Sequence, residues 1–218
     1  MRVGPTIVFL VATAATAAAA EMPGEIRGQV RVTRAGQPVA DAGGVLVYLT
    51  GFTEPPPPET LEMRQHGRQF QPALLAIVAG QTVTFPNGDP FFHNVFSVSP
   101  ARRFDLGQFK RGETKEKVFP SPGVVEVYCN IHPEMAATIL VLPNRRFVTT
   151  ATDGSFRLDD VPPGSWSLFA YHPLAPRPTR LDVSVEPGQA TRGVVVDVDE
   201  SGVAAPHANK YGERYGTP

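Results

Sequence analysis

The stretch "EVYCNIHPEM", residues 126–135, closes an apolar run and contains the only cysteine of the 218-residue chain. His132 stands three residues after Cys129, and Met135 three residues after His132. A thiol, an imidazole and a thioether brought this close are soft and intermediate metal donors. A lone cysteine cannot form an intrachain disulfide. It pairs with another chain, stays a free thiol, ligates a metal, or sits inertly in the core.

The start of the chain bears on that choice. "MRVGPTIVFLVATAATAAAAEMPG" carries Arg2, an apolar stretch from Ile7 to Ala12, and small residues ending in Ala18, Ala19 and Ala20. This is the pattern of a secretory signal peptide, residues 1–20, and its apolar part is too short for a membrane anchor. The mature chain is therefore expected to be periplasmic or secreted, with no integral membrane span. There an unpaired thiol is a liability. The formal net charge of −1 gives no reason to expect a nucleic-acid partner.

The 23 prolines and 20 glycines recur at short intervals, which favours short strands joined by tight turns over helices. The expected fold class is all-β. Residues 25–52 read as a strand, a turn at Gly36-Gln37-Pro38 and a second strand, Val45 to Leu49. Residues 53–61, with "EPPPPE", form a stiff proline-rich linker. Residues 62–143 hold a series of β-rich runs of sandwich or barrel spacing. In residues 144–199, Asp153-Gly154 predicts a hairpin. In "SWSLFAY", Trp166, Leu168 and Ala170 share one face, and Ser167, Phe169 and Tyr171 the other. "KRGETKEK", 110–117, reads as a solvated hairpin. The polar tail, 200–218, has little to bury and is expected to be extended or disordered.

A metal needs more ligands than one loop supplies. "DPFFHNVFSVS" offers His93, after the turn signal Asn87-Gly88-Asp89-Pro90. Zinc sites use thiolate and imidazole but do not normally recruit thioether. Two His, one Cys and a weak axial Met make the blue-copper electron-transfer set. Met63 and His66, in "MRQH", are an incomplete second pair. Phe91, Phe92 and Phe96 are candidates either for shielding the site or for ordinary core.

With "GQTVTFPNGDPFFHNVFSV" upstream and "PGVVEVYCNIHPEM" downstream, residues 62–143 resemble the cupredoxins, the small blue copper proteins, in a short-loop form closest to amicyanin. The whole chain is similar to plastocyanin-like, methylamine-utilisation-type proteins that add a carboxypeptidase-regulatory-like β-domain. The resemblance implies a Greek-key cupredoxin β-sandwich plus a smaller regulatory-like β-sandwich. It implies one mononuclear type 1 copper, with equatorial His93, Cys129 and His132 and axial Met135. Asn94 matches a residue that ties the two ligand segments by hydrogen bonds.

The "TTATDGSFRLDDVPPGSWSLFAY" segment looks like the later strands of the regulatory-like domain, and "GQVRVTRAGQPVADAGGVLVYL" has the form of its missing opening. The copper domain is thus expected as an insertion between about residues 59 and 144. The competing reading makes residues 25–50 the cupredoxin's own opening strands. No nucleophile elbow, phosphate loop or zinc-protease helix appears, so the expected role is that of a single-electron carrier rather than an enzyme. Its partners would be redox proteins, a dehydrogenase or a cytochrome-like acceptor. A copper chaperone or storage module is the alternative.

Overall fold

Every regular element in the computed structural model is a β-strand; the structure describes residues 22–202 and 207–215. The expected signal peptide lies outside the described residues. No helix among them is long and apolar enough to cross a membrane. In chain order the first strands are β1 (Gly24–Arg34), β2 (Gln37–Pro38) and β3 (Leu46–Thr50). A middle group follows: β4 (Leu61–Glu62), β5 (Arg64–Gln65), β6 (Phe70–Gln71), β7 (Leu74–Val78) and β8 (Thr82–Pro86). It continues with β9 (His93–Ser97), β10 (Phe104–Phe109), β11 (Thr114–Val118), β12 (Gly123–Cys129) and β13 (Ala136–Leu142). The last group is β14 (Phe147–Thr149), β15 (Ser155–Val161), β16 (Gly164–Tyr171), β17 (Thr179–Val185) and β18 (Ala190–Asp199).

The first and last groups pair with each other. β1 lies between β15 and β18, and β3 between β14 and β16, whose other neighbour is β17. Alternate residues of both sheets, Ile26, Val30 and Val32 facing Val47, Leu49 and Leu168, form one buried cluster, as expected for strands with one face inward. At Gly28, a Cβ would come within 2.3 Å of the Val194 carbonyl oxygen, so only glycine lets β18 approach. The middle group builds a second sandwich. One sheet runs β10-β9-β12-β13-β7 and the other β11-β8-β4, with β5 and β6 as a separate small ribbon. Phe85, Val95, Phe109, Phe119, Val127 and Ile139 fill its interior.

A third apolar cluster joins the two. Leu46 and Tyr48 of β3, with Phe147, Phe169 and Tyr171 partly buried beside them, pack on Leu140 and Leu142 of β13 and on Leu74 and Ala76 of β7. Tyr48 and Phe169 stack at 5.3 Å. The two faces of "SWSLFAY" are therefore both spoken for: Leu168 and Ala170 face the first core, Phe169 and Tyr171 the neighbouring sandwich.

The two chain crossings between the sandwiches run side by side. Glu54 accepts from the Arg145 backbone N–H at 2.8 Å and pairs with Arg146 at 2.9 Å, while its own N–H donates to the Pro143 carbonyl. The proline-rich segment is thus anchored at its start. Asn144, buried, donates to the Leu49 and Phe52 carbonyls at 3.1 Å each and accepts from Arg146 N–H at 2.9 Å.

Several expected local features differ. The first turn is centred on Ala35-Gly36, both at positive φ, with Gln37-Pro38 already paired to β1. Asp153-Gly154 does make a tight turn, but it joins β14 and β15, which belong to different sheets. Lys110 to Lys117 likewise links β10 to β11 across the second sandwich instead of forming a hairpin. Turn chemistry fixes the reversal of the chain, and tertiary packing decides the sheet each arm joins. The tail is also not free: residues 207–215 fold onto the second sandwich, because His207 and Tyr215 find aromatic and carbonyl partners there.

Asn144→Ala strands two buried carbonyls and one N–H. Expected is a loss of about 1–3 kcal/mol of stability, read as a lower midpoint of urea unfolding.

Candidate metal centre

Cys129 ends β12 with its side chain inward, because Val125, Val127 and Cys129 alternate toward the core while Val124 and Tyr128 face out. β9 pairs beside it, Cys129 opposite Val95, so His93 at the start of β9 arrives on the same side. Both side chains are fully buried. The turn before His93 is locked by Asn87, whose amide donates to the Phe91 and Phe109 carbonyls at 3.0 Å each and whose oxygen accepts from Asp89 N–H.

That turn aims Asp89 at His93. The Asp89 carboxylate lies 2.8 Å from His93 Nε2 and accepts from Gly67 N–H at 2.7 Å and Arg68 N–H at 3.0 Å. Burial works against its ionisation, but the Arg68 N–H, the His93 ring and the Gly67 N–H outweigh it and hold the carboxyl at about 2. A proton on Nε2 directed at Asp89 leaves the Nδ1 lone pair free for a metal. Asp89 went unnoticed in the sequence because "NGDP" reads only as a turn, and an acid four residues before a histidine carries no spacing rule outside a helix.

His93 Nδ1 lies 3.7 Å from Cys129 Sγ, His132 Nδ1 lies 3.7 Å from the same sulfur, and the two Nδ1 atoms are 3.2 Å apart. The centre of that triangle is about 2 Å from all three atoms, the length of a metal–imidazole bond. The donor set and its spacing therefore fit a small transition-metal ion. Among the described residues, His93, Cys129 and His132 form the single cluster of three His, Cys or acidic side chains close enough to share one. The loop is closed by Met135 N–H to the His132 carbonyl at 3.1 Å and Cys129 N–H to the Met135 carbonyl at 3.2 Å. Met135 is buried in the same cluster as Cys129.

The protonation pattern suits a ligand set. Burial raises the Cys129 thiol, yet the His93 ring and the N–H groups of Asn94, Ile131 and His132 overcome this and lower it, favouring thiolate. Burial opposes charge on His93, but Cys129 and Asp89 raise it overall. His132 is lowered, by burial and then by the charge of His93. Phe91 sits against both imidazoles, at 5.2 Å from His93 and 5.3 Å from His132. Phe96 packs outward on Tyr128 instead, and Phe92 is exposed.

The Asn94 side chain does not reach the ligand loop. Its amide donates to Asp105 at 2.6 Å, and its oxygen is buried without a partner. Met63 lies in the core, whereas His66 is exposed, 3.7 Å from Asp89, so the two do not form a second site.

No protein-family model matches the chain, and no curated protein does. Among solved structures, a purple cupredoxin from Nitrosopumilus maritimus is similar at 26% identity, covering 38% of this chain and 99% of that one, with a TM-score of 0.35. A reduced mutant of amicyanin is similar at 19% identity, covering 44% of this chain and 98% of that one, with a TM-score of 0.37. A copper-containing nitrite reductase from Thermus scotoductus SA-01 is similar at 25% identity and a TM-score of 0.38, covering 51% of this chain but only 28% of that one.

Asp89→Asn removes the charge beside His93 and turns one of the two accepting oxygens into a donor, against Gly67 N–H or against Arg68 N–H and His93. Expected is a 10- to 100-fold loss of metal affinity with an unchanged β-sheet circular dichroism spectrum, measured by competition with a chelator of known copper affinity.

Proposed function

We propose that this chain binds one copper ion at a type 1 site through His93, Cys129 and His132, with Met135 as weak axial donor, and carries single electrons between redox partners. The observation that carries the reading is the buried triangle of two Nδ1 atoms and one Sγ, spaced for a common ion. Copper would supply a one-electron couple at this donor set. The chain's own residues do the rest. Asp89, 2.8 Å from His93 Nε2, orients that ring, and the His93 ring with three backbone N–H groups favours the Cys129 thiolate. Phe91 and the second core exclude water from the ligands.

Rigid, buried ligands favour electron carriage over metal hand-over, since a chaperone must let its ion leave. They also favour a carrier over an enzyme, because burial of His93, Cys129 and Met135 leaves little ligand surface for a substrate. His132 is half-buried, and the flanking Ile131 and Pro133 are exposed. This end is the proposed docking surface for a dehydrogenase-like donor or a cytochrome-like acceptor; transient redox partners use small interfaces. Export through residues 1–20, with function in the periplasm or outside the cell, belongs to the same proposal. So does the identity of the first sandwich as a regulatory-like domain interrupted by the copper-binding one.

The copper-loaded protein is expected to show intense visible thiolate-to-copper absorption, which Cys129→Ser abolishes while the β-fold persists. A colourless wild-type complex contradicts the site. Met135→Leu is expected to keep the colour and raise the reduction potential, because copper(II) loses a donor it values more than copper(I) does. Ready transfer of copper to an acceptor protein, with no reversible potential, would favour the chaperone role.

Ile131→Lys places a charge on the exposed apolar end. Expected is slower electron exchange with the physiological acceptor at unchanged potential, followed by stopped-flow absorbance.

A further inference from the structure

Residues 207–215 lie far from the metal-binding loop in sequence, yet their contacts converge on it. The Tyr215 hydroxyl donates to the Cys129 carbonyl at 2.8 Å. The Lys210 backbone N–H donates to Asn130 Oδ1 at 2.9 Å, and His207 Nε2 lies 2.7 Å from the Pro133 carbonyl. The His207 ring stacks on Tyr128 at 3.9 Å, with the Tyr215 ring edge-on to it at 5.2 Å.

Lys210 also reaches the other ligand segment. Its ammonium pairs with Asp105 at 2.7 Å, and the second oxygen of Asp105 accepts from Asn94, the residue after His93. The connection between the two ligand segments that the Asn94 side chain does not make directly therefore runs Asn94–Asp105–Lys210–Asn130. The segment holds its own shape as well: Asn209 accepts from Tyr211 and Glu213 N–H groups, and its N–H donates to the Glu213 carbonyl. Ordering a polar, glycine-containing stretch costs on the order of 1–2 kcal/mol per residue in backbone entropy alone. A stretch ordered at that cost, with the His207 and Tyr215 side chains and the Lys210 N–H spent on residues 128–133, has a task at the loop.

We infer that residues 207–215 are a strap that holds the loop 129–135 in its ligating shape, with His207, Lys210 and Tyr215 as positioning residues. The part of this inference that concerns the metal rests on the copper-site reading above; restraint of the loop does not. Tyr215 fixes the carbonyl of the thiolate residue itself. Lys210 couples the two ligand segments, and His207 holds the loop where it turns back at Pro133.

The test uses the full-length chain, its Tyr215→Phe variant, which keeps the ring and loses only the hydroxyl, and a triple variant, His207→Ala, Lys210→Ala and Tyr215→Phe. In the metal-free proteins, amide hydrogen exchange at Asn130, Ile131, His132, Glu134 and Met135 is expected to quicken at least tenfold in the triple variant and by less in Tyr215→Phe. Exchange in β1 and in the centre of β13 should stay as in the wild type. Unchanged loop protection overturns the strap, and so does faster exchange spread equally over all strands, which would mean general loosening. With copper bound, the triple variant should release the ion to a chelator several-fold faster and show a shifted reduction potential while keeping its visible band. Unchanged release and potential overturn the positioning role. Should the wild type show no thiolate–copper band, the copper reading fails, while the metal-free measurement still decides whether the strap restrains the loop.

Discussion

A thiol whose ionised form is favoured inside a protein core is the constraint around which the second sandwich is arranged. Burial alone pushes a thiol toward its neutral form. Here Cys129 is fully buried and still lowered, because the His93 ring and three backbone N–H groups outweigh the burial. Those N–H groups belong to Asn94, Ile131 and His132, one on β9 and two in the loop. They converge only if β9 and β12 are adjacent and in one register, Cys129 opposite Val95. The same register delivers His93. The turn at residues 87–90 then has one purpose left, which is to present Asp89 to the far nitrogen of that ring.

Holding that register asks for support on the outer face of the sheet as well as the inner one. The inner face is the aromatic and aliphatic core of the second sandwich. The outer face is covered in two parts. β7 and β13 rest on Tyr48, Phe147, Phe169 and Tyr171 of the first sandwich. Beside β9 and β12, residues 207–215 lie against Tyr128 and Asp105. β9 is consequently buried along its whole length, Asn94 and Phe96 as much as His93 and Val95. A strand buried on both faces has a strongly specified register, since a one-residue slip would turn every side chain over.

What could be read from the sequence follows the range of the interaction involved. The all-β class was legible because period-two runs such as Val125, Val127 and Cys129 and the Gly/Pro turns are local signals. The clustering of His93, Cys129 and His132 was legible because few other chemistries call for a thiol and two imidazoles in this pattern. Asp89 was hidden inside a turn motif that explains itself without it. The Asp153-Gly154 turn announced a reversal but could not say that its arms join different sheets. The contacts of residues 207–215 could not be read from a polar composition, which counts apolar area, whereas His207, Lys210 and Tyr215 are held by stacking, an ion pair and hydrogen bonds.

The distribution of cover around the site carries the last step. The strands that carry His93 and Cys129 are enclosed by their own core and by residues 207–215, while the first sandwich covers the neighbouring β7 and β13. Phe92, Ile131 and Pro133, each next in sequence to one of the clustered histidines, are exposed. Nearby, Lys210 pairs with Asp105 and Arg68 lies over the Phe91 ring at 5.2 Å. Every opening to solvent weakens the electrostatic contacts around a buried sulfur. Of the three clustered side chains only His132 reaches the surface, flanked by the exposed Ile131 and Pro133, and the covering elements leave that end open.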